Sequence, residues 1–168
     1  MANEKVMRYQ IADYLNVGTT EEESYALCGA GFTTLDEEPS AQSESTIYIN
    51  DRSASSTVTS YETTFPFDTE LMASEEAVMK IYEVARNQKT GADAELDYVR
   101  AELFEPVESK ENTFKARKFR VSVEVSSISG EGGEAIVVSG NLNAVGDFVD
   151  GEFNTETSTF TDAASAGA

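Results

Sequence analysis

The sequence predicts a mainly β domain, a β-sandwich or barrel with one flanking α-helix. Several segments alternate apolar and polar residues with a period of two, most clearly residues 113–127 (TFKARKFRVSVEVSS). One segment, residues 74–87, instead has apolar residues at helical spacing. Helices and strands do not alternate along the chain, which argues against a parallel sheet. The 168 residues are 40% hydrophobic, enough for the core of one domain spanning 1–168.

The first half of the chain is interpreted as four strands joined by polar turns. We place these strands at residues 8–17, 24–34, 46–50 and 58–67. Pro66 lies within the last of them. Because proline has no amide hydrogen to donate, we expect either an edge strand here or the end of a strand near Pro66.

The stretch 35–64 differs in composition from the rest of the chain. It is rich in Ser, Thr and Glu, it has few apolar residues, and Pro39 lies in its acidic first part. We expect residues 35–45 to form a loop and the whole stretch to project as a long hairpin. Because a lone hairpin with no core of its own is at best marginally stable, it is expected to need a partner surface.

Residues 74–87 (SEEAVMKIYEVARN) are predicted to form an α-helix. Ser74 is a favourable N-cap, and the two acidic residues after it suit the positive end of the helix dipole. Gly91 follows as a stop signal. One face carries an apolar stripe of Ala77, Val78, Ile81, Val84 and Ala85. This stripe predicts a sheet on which the helix packs.

The second half is predicted to contain strands at residues 94–104 and 113–127, a Gly-rich turn at 129–133 and a return strand at 134–139. One face of the strand at 113–127 carries Phe119, Val121, Val123 and Val125. The glycines of residues 140–153 are expected to turn the chain out of the sheet. The segment after them is expected to form a terminal arm.

The net charge of −19, from 31 acidic and 12 basic residues, repels nucleic-acid phosphates and anionic lipid. Five of the twelve basic residues lie within 110–120, and none follows Arg120. This basic cluster has two interpretations. It could meet acidic surfaces of neighbouring copies, or it could be a solvated strand edge whose lysines discourage aggregation. The basic cluster consists of four of these five residues, Lys115, Arg117, Lys118 and Arg120.

The residue types argue against an enzyme. Histidine, the usual general base and zinc ligand, is absent from the sequence. Cys28 is the only cysteine, so it cannot form an internal disulfide, and it is interpreted as a small apolar strand residue. The carboxylates of Asp147, Asp150 and Glu152 could ligate calcium, but their spacing is not that of an EF-hand, and the competing interpretation is a Gly-stabilised turn. No cofactor and no metal are expected.

Membrane contact is not expected either. The first residues, MANEKVM, lack the basic start and apolar run of a signal peptide. No apolar stretch approaches the length that spans a bilayer. Together with the single cysteine, these features favour a protein made in a reducing cytoplasm.

The C-terminal segment carries a recognisable pattern. Strand residues 119–125 (FRVSVEV) are followed by GNLNAVGD from Gly140, VDGEFN from Val149, and TF at residues 159–160. This pattern resembles the major tail proteins, or tail tube proteins, of tailed bacteriophages, especially those with long non-contractile tails. In that family a G-x-L-x-x-x-G-D stretch leads into x-G-x-F and a final aromatic residue. The order of early strands, acidic loop, helix and last strands also agrees.

The resemblance implies a virion subunit without enzymatic activity. It implies hexameric rings that stack into a tail tube through which the genome passes during infection. The implied partners are other copies of the chain, the tape measure protein and the tail terminator or initiator proteins, with DNA met only in transit. On this chain the implied arms are 1–8 and 154–168, and the implied inter-ring loop is 35–64. The candidate interface residues are Lys115, Arg117, Lys118, Arg120, Asp36, Glu37, Glu38, Phe153 and Phe160.

Three alternatives stay open at this point. The chain could be the tube subunit of a contractile tail or of a related injection device. It could be a soluble acidic β-sandwich that binds a ligand, which predicts a secretion signal and a monomer. It could also be a DNA-mimicking inhibitor, which requires carboxylates arrayed at phosphate-like spacing.

Overall fold

The computed structural model describes residues 4–163, which form a mainly antiparallel β structure with one α-helix, as the sequence predicts. The helix α1 spans Glu76–Arg86. The strands are β1 (Ile11–Asn16), β2 (Tyr25–Leu27), β3 (Phe32–Leu35), β4 (Ala41–Thr46), β5 (Ser55–Tyr61), β6 (Thr64–Glu70), β7 (Glu95–Pro106), β8 (Thr113–Ser129), β9 (Val137–Ala144), β10 (Val149–Asn154) and β11 (Thr159–Asp162).

Nine of these strands form one sheet that branches at the long strand β8. The main order is β2-β1-β7-β8-β9-β6-β3. Along one edge of β8, residues 113–118 pair with β10 and residues 121–129 pair with β9. Strand β11 pairs with β10. The remaining strands, β4 and β5, form a separate two-stranded sheet.

The centre of the sheet is buried on both faces. Successive residues of a strand point to opposite faces, and on β7 the neighbours Tyr98 and Val99 belong to two different core clusters. The larger cluster lies beneath the helix and includes Phe65, Phe119 and Leu142. The smaller cluster lies on the other face, around Phe153. A strand buried on both faces can carry an inward polar residue only if that residue has partners.

The helix packs on the larger cluster through Ala77, Ile81 and Val84, and Val78 is buried as well. The predicted N-cap is wrong: Glu75 occupies this position, and its side chain makes no capping hydrogen bond. Ala85, the remaining member of the predicted stripe, is only half-buried. The helix is therefore held mainly by its buried face rather than by capping.

The strand predicted at 46–50 is wrong, and the loop predicted at 35–45 is confirmed only for residues 36–40. Strand β4 ends at Thr46, and the following residues turn the chain towards β5. The turn is closed by two hydrogen bonds, from the Tyr48 amide to the Asp51 carboxylate and from the Asp51 amide to the Tyr48 carbonyl. Every residue of β4 is exposed. Because nothing covers it, the strand has no apolar alternation that sequence reasoning could detect.

Two further strand predictions need correction. Residues 24–34 do not form one strand, because the chain leaves β2 and turns at Gly31, whose φ of +91° suits glycine, to start β3 elsewhere in the sheet. Pro66 is not at an edge, since β6 lies between β3 and β9. Its carbonyl accepts the amide of Asp36, beyond the last residue of β3. Its ring nitrogen faces the same side, where β3 has ended and no hydrogen bond is lost.

The glycines of residues 140–153 do not all turn the chain outwards. Gly140 lies inside β9 and Gly151 inside β10. A Cβ atom added at Gly140 would lie 2.0 Å from the Glu124 carbonyl oxygen, and one at Gly151 would lie 2.2 Å from that of Thr161. These two glycines therefore allow close approach of neighbouring backbones. The turn between β9 and β10 contains Gly146, with φ of +74°.

The predicted arms are only partly within the described residues. Residues 154–163, predicted as an arm, run through the turn into β11, which pairs with β10 of the same chain. Residues 164–168, the rest of that arm, lie outside the described residues. Of the predicted arm 1–8, residues 1–3 also lie outside them. Residues 4–8 are exposed and lead into a 3-10 turn at Arg8–Gln10.

Candidate assembly surfaces

The most exposed part of the described chain is the hairpin formed by β4 and β5, hereafter the hairpin. All residues from 41 to 61 are exposed, and the two strands pair with each other but not with the main sheet. The pairing runs from Ala41 opposite Tyr61 to Thr46 opposite Ser55. A hairpin that buries nothing of its own gains little from folding. Its exposed apolar side chains therefore indicate an interaction surface.

The tip of the hairpin, residues 47–52, combines apolar side chains with a cation. Ile47 and Tyr48 are largely exposed, and Ile49 is fully exposed. Arg52 is the only basic residue between positions 9 and 79. The tip thus offers three apolar groups and one positive charge, next to the Asp51 carboxylate, which accepts from the Tyr48 amide.

The base of the hairpin is tied firmly to the main sheet. Glu37 accepts two hydrogen bonds from the Arg117 guanidinium on β8, at 2.7 and 3.0 Å. Glu38 and Thr64 exchange two backbone hydrogen bonds, at 2.8 and 2.9 Å. Bidentate pairs of this kind hold orientation as well as distance. The base of the hairpin is therefore a fixed point from which the tip projects.

The Glu37–Arg117 pair belongs to a longer row of alternating charges, hereafter the ionic network. Its members, in order, are Arg8, Asp13, Arg100, Glu37 and Arg117. The Nε of Arg100 lies 3.5 Å from Glu37, and its Nη1 lies 3.2 Å from Asp13. The other oxygen of Asp13 accepts from Arg8 at 2.7 Å. The network runs from the N-terminal segment across β1 and β7 to the base of the hairpin.

Asp13 is the most buried member of the network, with 2% of its surface exposed. Besides the two arginines, it accepts a short hydrogen bond from the Tyr98 hydroxyl. Burial raises the pKa of Tyr98 well above its usual value, and the neighbouring Asp13 carboxylate raises it further. Tyr98 is therefore a neutral donor to Asp13. Arg8 also donates to the Leu35 carbonyl at 2.8 Å, which fixes the chain just before the hairpin.

Glu37 is expected to make the stability of the folded protein depend on pH. Partial burial alone would raise the pKa of Glu37, but the hydrogen bonds and charge of Arg117, with the charge of Arg100, lower it overall from 4.5. As the pH falls, the Glu37 carboxylate is therefore protonated at a higher pH in the unfolded chain than in the folded protein. The stabilising contribution is present above pH 4.5 and is lost as the pH falls through the lowered pKa of the folded state.

We expect this loss to appear in urea unfolding of the wild type and of Glu37→Gln across a pH series. The difference in free energy of unfolding between the two proteins should be constant near neutral pH and should shrink below about pH 4.5. Comparing two proteins removes the general relief of charge repulsion on acidification, which affects both. A difference that stays constant through the acid range would contradict this role of Glu37.

A cleft of about 630 Å³ lies between the base of the hairpin and the turn that joins β9 to β10. We call it the base cleft. Its lining includes Tyr61, Arg117, Phe119, Asp147 and Phe148. The Arg117 guanidinium lies over the rings of Phe119 and Phe148, at 5.2 and 5.4 Å from their centroids. The cleft therefore combines aromatic rings with hydroxyl and charged groups, and its one arginine is already bound by Glu37.

The basic residues predicted to lie at an interface mostly form ion pairs within their own chain. Three members of the basic cluster pair within their own chain: Arg117 with Glu37, Lys118 with Glu23, and Arg120 with Glu95 and Asp97. The fourth, Lys115, is exposed and lies in register with Glu102 on β7 and Glu152 on β10. The acids that were expected on a neighbouring copy are thus largely supplied by the same chain.

The other predicted interface residues also differ from one another in exposure. Phe153 cannot be a surface contact, because it is fully buried and its ring lies 4.3 Å from that of Tyr14. Phe160 is half-buried, with the Lys118 ammonium 5.5 Å from its ring centroid. Asp36 and Glu38 are exposed beside the base of the hairpin. Sequence reasoning missed the ionic network, although Asp13 and Arg100, charged residues inside apolar strands, were a detectable signal.

Other kinds of site find little support in residues 4–163. Within that range, no group of three or more Cys, Asp or Glu side chains is arranged to hold a metal ion. Asp147, Asp150 and Glu152 are not brought together as such a group among the described residues. No described helix is both long enough and apolar enough to cross a membrane.

Comparison with known proteins gives a likeness of fold. No protein-family model matches the chain, and no curated protein sequence matches it. Among solved structures, a chain of the cryo-EM structure of the anti-feeding prophage (AFP) baseplate, 6-fold symmetrised, is similar with a TM-score of 0.50. The likeness covers 88% of this chain and 95% of that chain at 7% sequence identity. At this identity it shows that the two chains share a fold.

Proposed function

We propose that this protein is a structural subunit of a phage tail or a related particle, and specifically a tail tube protein that assembles into stacked hexameric rings. The observation that carries the proposal is the fold shared with a chain of a six-fold symmetric prophage baseplate over almost the whole of both chains. The pattern of residues 119–160 supports the same class independently, because it resembles that of major tail proteins.

The exposed hairpin supports assembly on physical grounds. It presents Ile47, Tyr48 and Ile49 to solvent without burying any of its own residues. Such a surface is stabilised when a partner covers it. In the proposed tube the hairpin reaches the next ring, and the partners of the tube are the tape measure protein and the terminator or initiator proteins.

The charge of the chain suits a passage for DNA. A ring of six copies, each with a formal charge of −19, repels phosphates and gives the genome no adhesive site. In this role the protein is not an enzyme and needs no cofactor. It is made in the bacterial cytoplasm and ends in the virion tail.

We expect the purified full-length protein to form rings or tubes in negative-stain electron microscopy at high concentration. Replacing residues 44–57 with Asn-Gly should leave the thermal midpoint almost unchanged, because the hairpin buries no core, while rings no longer stack. Gly132→Ala, in an open turn, is the matched control and should assemble normally. A wild type that is uniformly monomeric at high concentration would count against the proposal, and so would a shortened variant that still forms tubes.

A second candidate is a ring at the end of a contractile tail or injection device. The similar solved chain belongs to a baseplate, which favours this alternative. Electron microscopy separates the two candidates, since a tube subunit is expected to stack into long cylinders whereas a subunit of a terminal ring is not.

A further inference from the structure

The hairpin tip and the base cleft have complementary chemistry. The tip carries exposed Tyr48 and Ile49 beside Arg52. Within residues 4–163, no carboxylate lies within 4 Å of the Arg52 guanidinium, the distance that defines an ion pair. The charge of Arg52 is therefore available to an acid on another molecule.

The base cleft carries partly exposed aromatic rings and an exposed acidic side chain. Tyr61 and Phe148 line it with their rings partly exposed. The exposed Val145 follows β9 and lies between two residues of the chain that line the cleft. Asp147 lines the same cleft and is exposed. The other charged groups at the cleft, Arg117 and Glu37, neutralise each other through their two hydrogen bonds. The cleft thus presents apolar rings and an uncompensated negative charge.

The tip cannot fill the cleft of its own chain. The hairpin's paired strands separate the two, because Tyr61 at the base pairs with Ala41 while the tip begins beyond Thr46. Six residues at about 3.3 Å each place the tip roughly 20 Å from the base. A second copy is the occupant that satisfies both surfaces, since it supplies a tip to this cleft and a cleft to this tip.

We propose that the hairpin tip of one copy docks in the base cleft of a neighbouring copy. Ile49 and Tyr48 lie against the aromatic lining, and Arg52 lies opposite Asp147. The inference rests on the proposed function, because it assumes that copies of the chain assemble. It adds the receptor for the hairpin and the direction of the contact.

The contact joins two different surfaces, so it has a direction. An interface of this head-to-tail type does not close as a symmetric dimer but continues to further copies. Each copy uses its tip once and its cleft once. Growth therefore depends on every copy having both, and a copy without a tip should end the row.

Disulfide trapping tests the contact directly. Ile49→Cys and Val145→Cys are prepared separately and mixed under mild oxidation, and disulfide-linked dimers are measured by non-reducing electrophoresis. The native Cys28 is buried, so it is not an exposed competitor. We expect dimers in the mixture at least about tenfold above either variant alone. Thr57→Cys mixed with Val145→Cys is the matched control, because this exposed position lies on β5 away from the tip, and it should give no such increase.

Charge exchange tests the ion pair. Arg52→Glu and Asp147→Arg should each raise the protein concentration needed for assembly about 3- to 10-fold, as expected for a surface pair turned repulsive. The double variant should return most of the way to the wild type. Rings or tubes that form without the Ile49–Val145 cross-link and without rescue would overturn this inference and leave the proposed function standing. A protein that neither assembles nor cross-links would overturn both.

Discussion

Asp13→Ala is expected to lower the free energy of unfolding by about 3–5 kcal/mol. The aspartate is almost wholly buried and accepts from Tyr98, Arg100 and Arg8. Removing it leaves the buried Arg100 guanidinium, among residues 4–163, with Glu37 at 3.5 Å as its one remaining counter-charge. A buried charge that loses its partner keeps its desolvation penalty, which is why breaking such a pair costs more than the pair itself contributes.

The effect is to be measured by urea unfolding followed by circular dichroism at neutral pH. Glu83→Ala is the matched control, because it removes a carboxylate of an exposed ion pair, Lys89–Glu83 at 3.1 Å, and exposed pairs contribute little. We expect the control to unfold almost as the wild type does. Equal effects of the two substitutions would show that the ionic network has no special role in stability.

Gly140→Ala is expected to be the other severe substitution, with a loss of at least about 2–3 kcal/mol. The new Cβ atom would lie 2.0 Å from the Glu124 carbonyl oxygen and 2.9 Å from the Cα of Val125. Both are backbone atoms of β8, next to the irregularity in its register with β9, so they cannot move aside as a flexible side chain would. The strand pair must separate or shift, and the hydrogen bonds of the ladder are strained.

Thermal unfolding of Gly140→Ala and Gly132→Ala gives the comparison. Gly132 lies in the turn between β8 and β9, where an added Cβ atom meets nothing within 4 Å. We expect that variant to be neutral, while Gly140→Ala melts several degrees lower. If Gly140→Ala were as stable as the wild type, the close approach of β8 and β9 would not be a requirement of the fold.

Asp13→Ala and Gly140→Ala test folding, whereas substitutions at the hairpin tip and the base cleft test assembly. Asp13 and Gly140 lie in the main sheet, whereas the hairpin tip and the rim of the base cleft are exposed. The basic cluster does not give such a clean test. Reversing the charge of Arg117 would break its hydrogen bonds to Glu37, so a loss of assembly could follow from damage within the subunit. Arg52 and Asp147 are better positions because neither forms an ion pair within residues 4–163.

Sequence reasoning succeeded where local periodicity and burial agree. The strand at residues 113–127 alternates because Phe119, Val121 and Val123 enter the larger core, and the helix at Glu76–Arg86 shows its stripe because one face is buried. It failed at β4, whose residues are all exposed and so carry no pattern. It also failed at Pro66, which lies in a central strand rather than at an edge. The proline costs no hydrogen bond there because the neighbouring strand β3 has ended, and where β3 ends cannot be read from the residues around Pro66.

By itself, the sequence determined the mainly β fold class, the one helix among the described residues, the acidic character and the exposed nature of most of the stretch 35–64. These follow from side-chain period and composition, which are local. Only the tertiary structure decided that Glu37 binds Arg117 of the same chain, that Phe153 is core, and that Asp13 and Arg100 meet in the interior. The physical reason is that charge pairing and burial depend on which strands become neighbours, and a branch at β8 brings together residues that lie far apart in sequence.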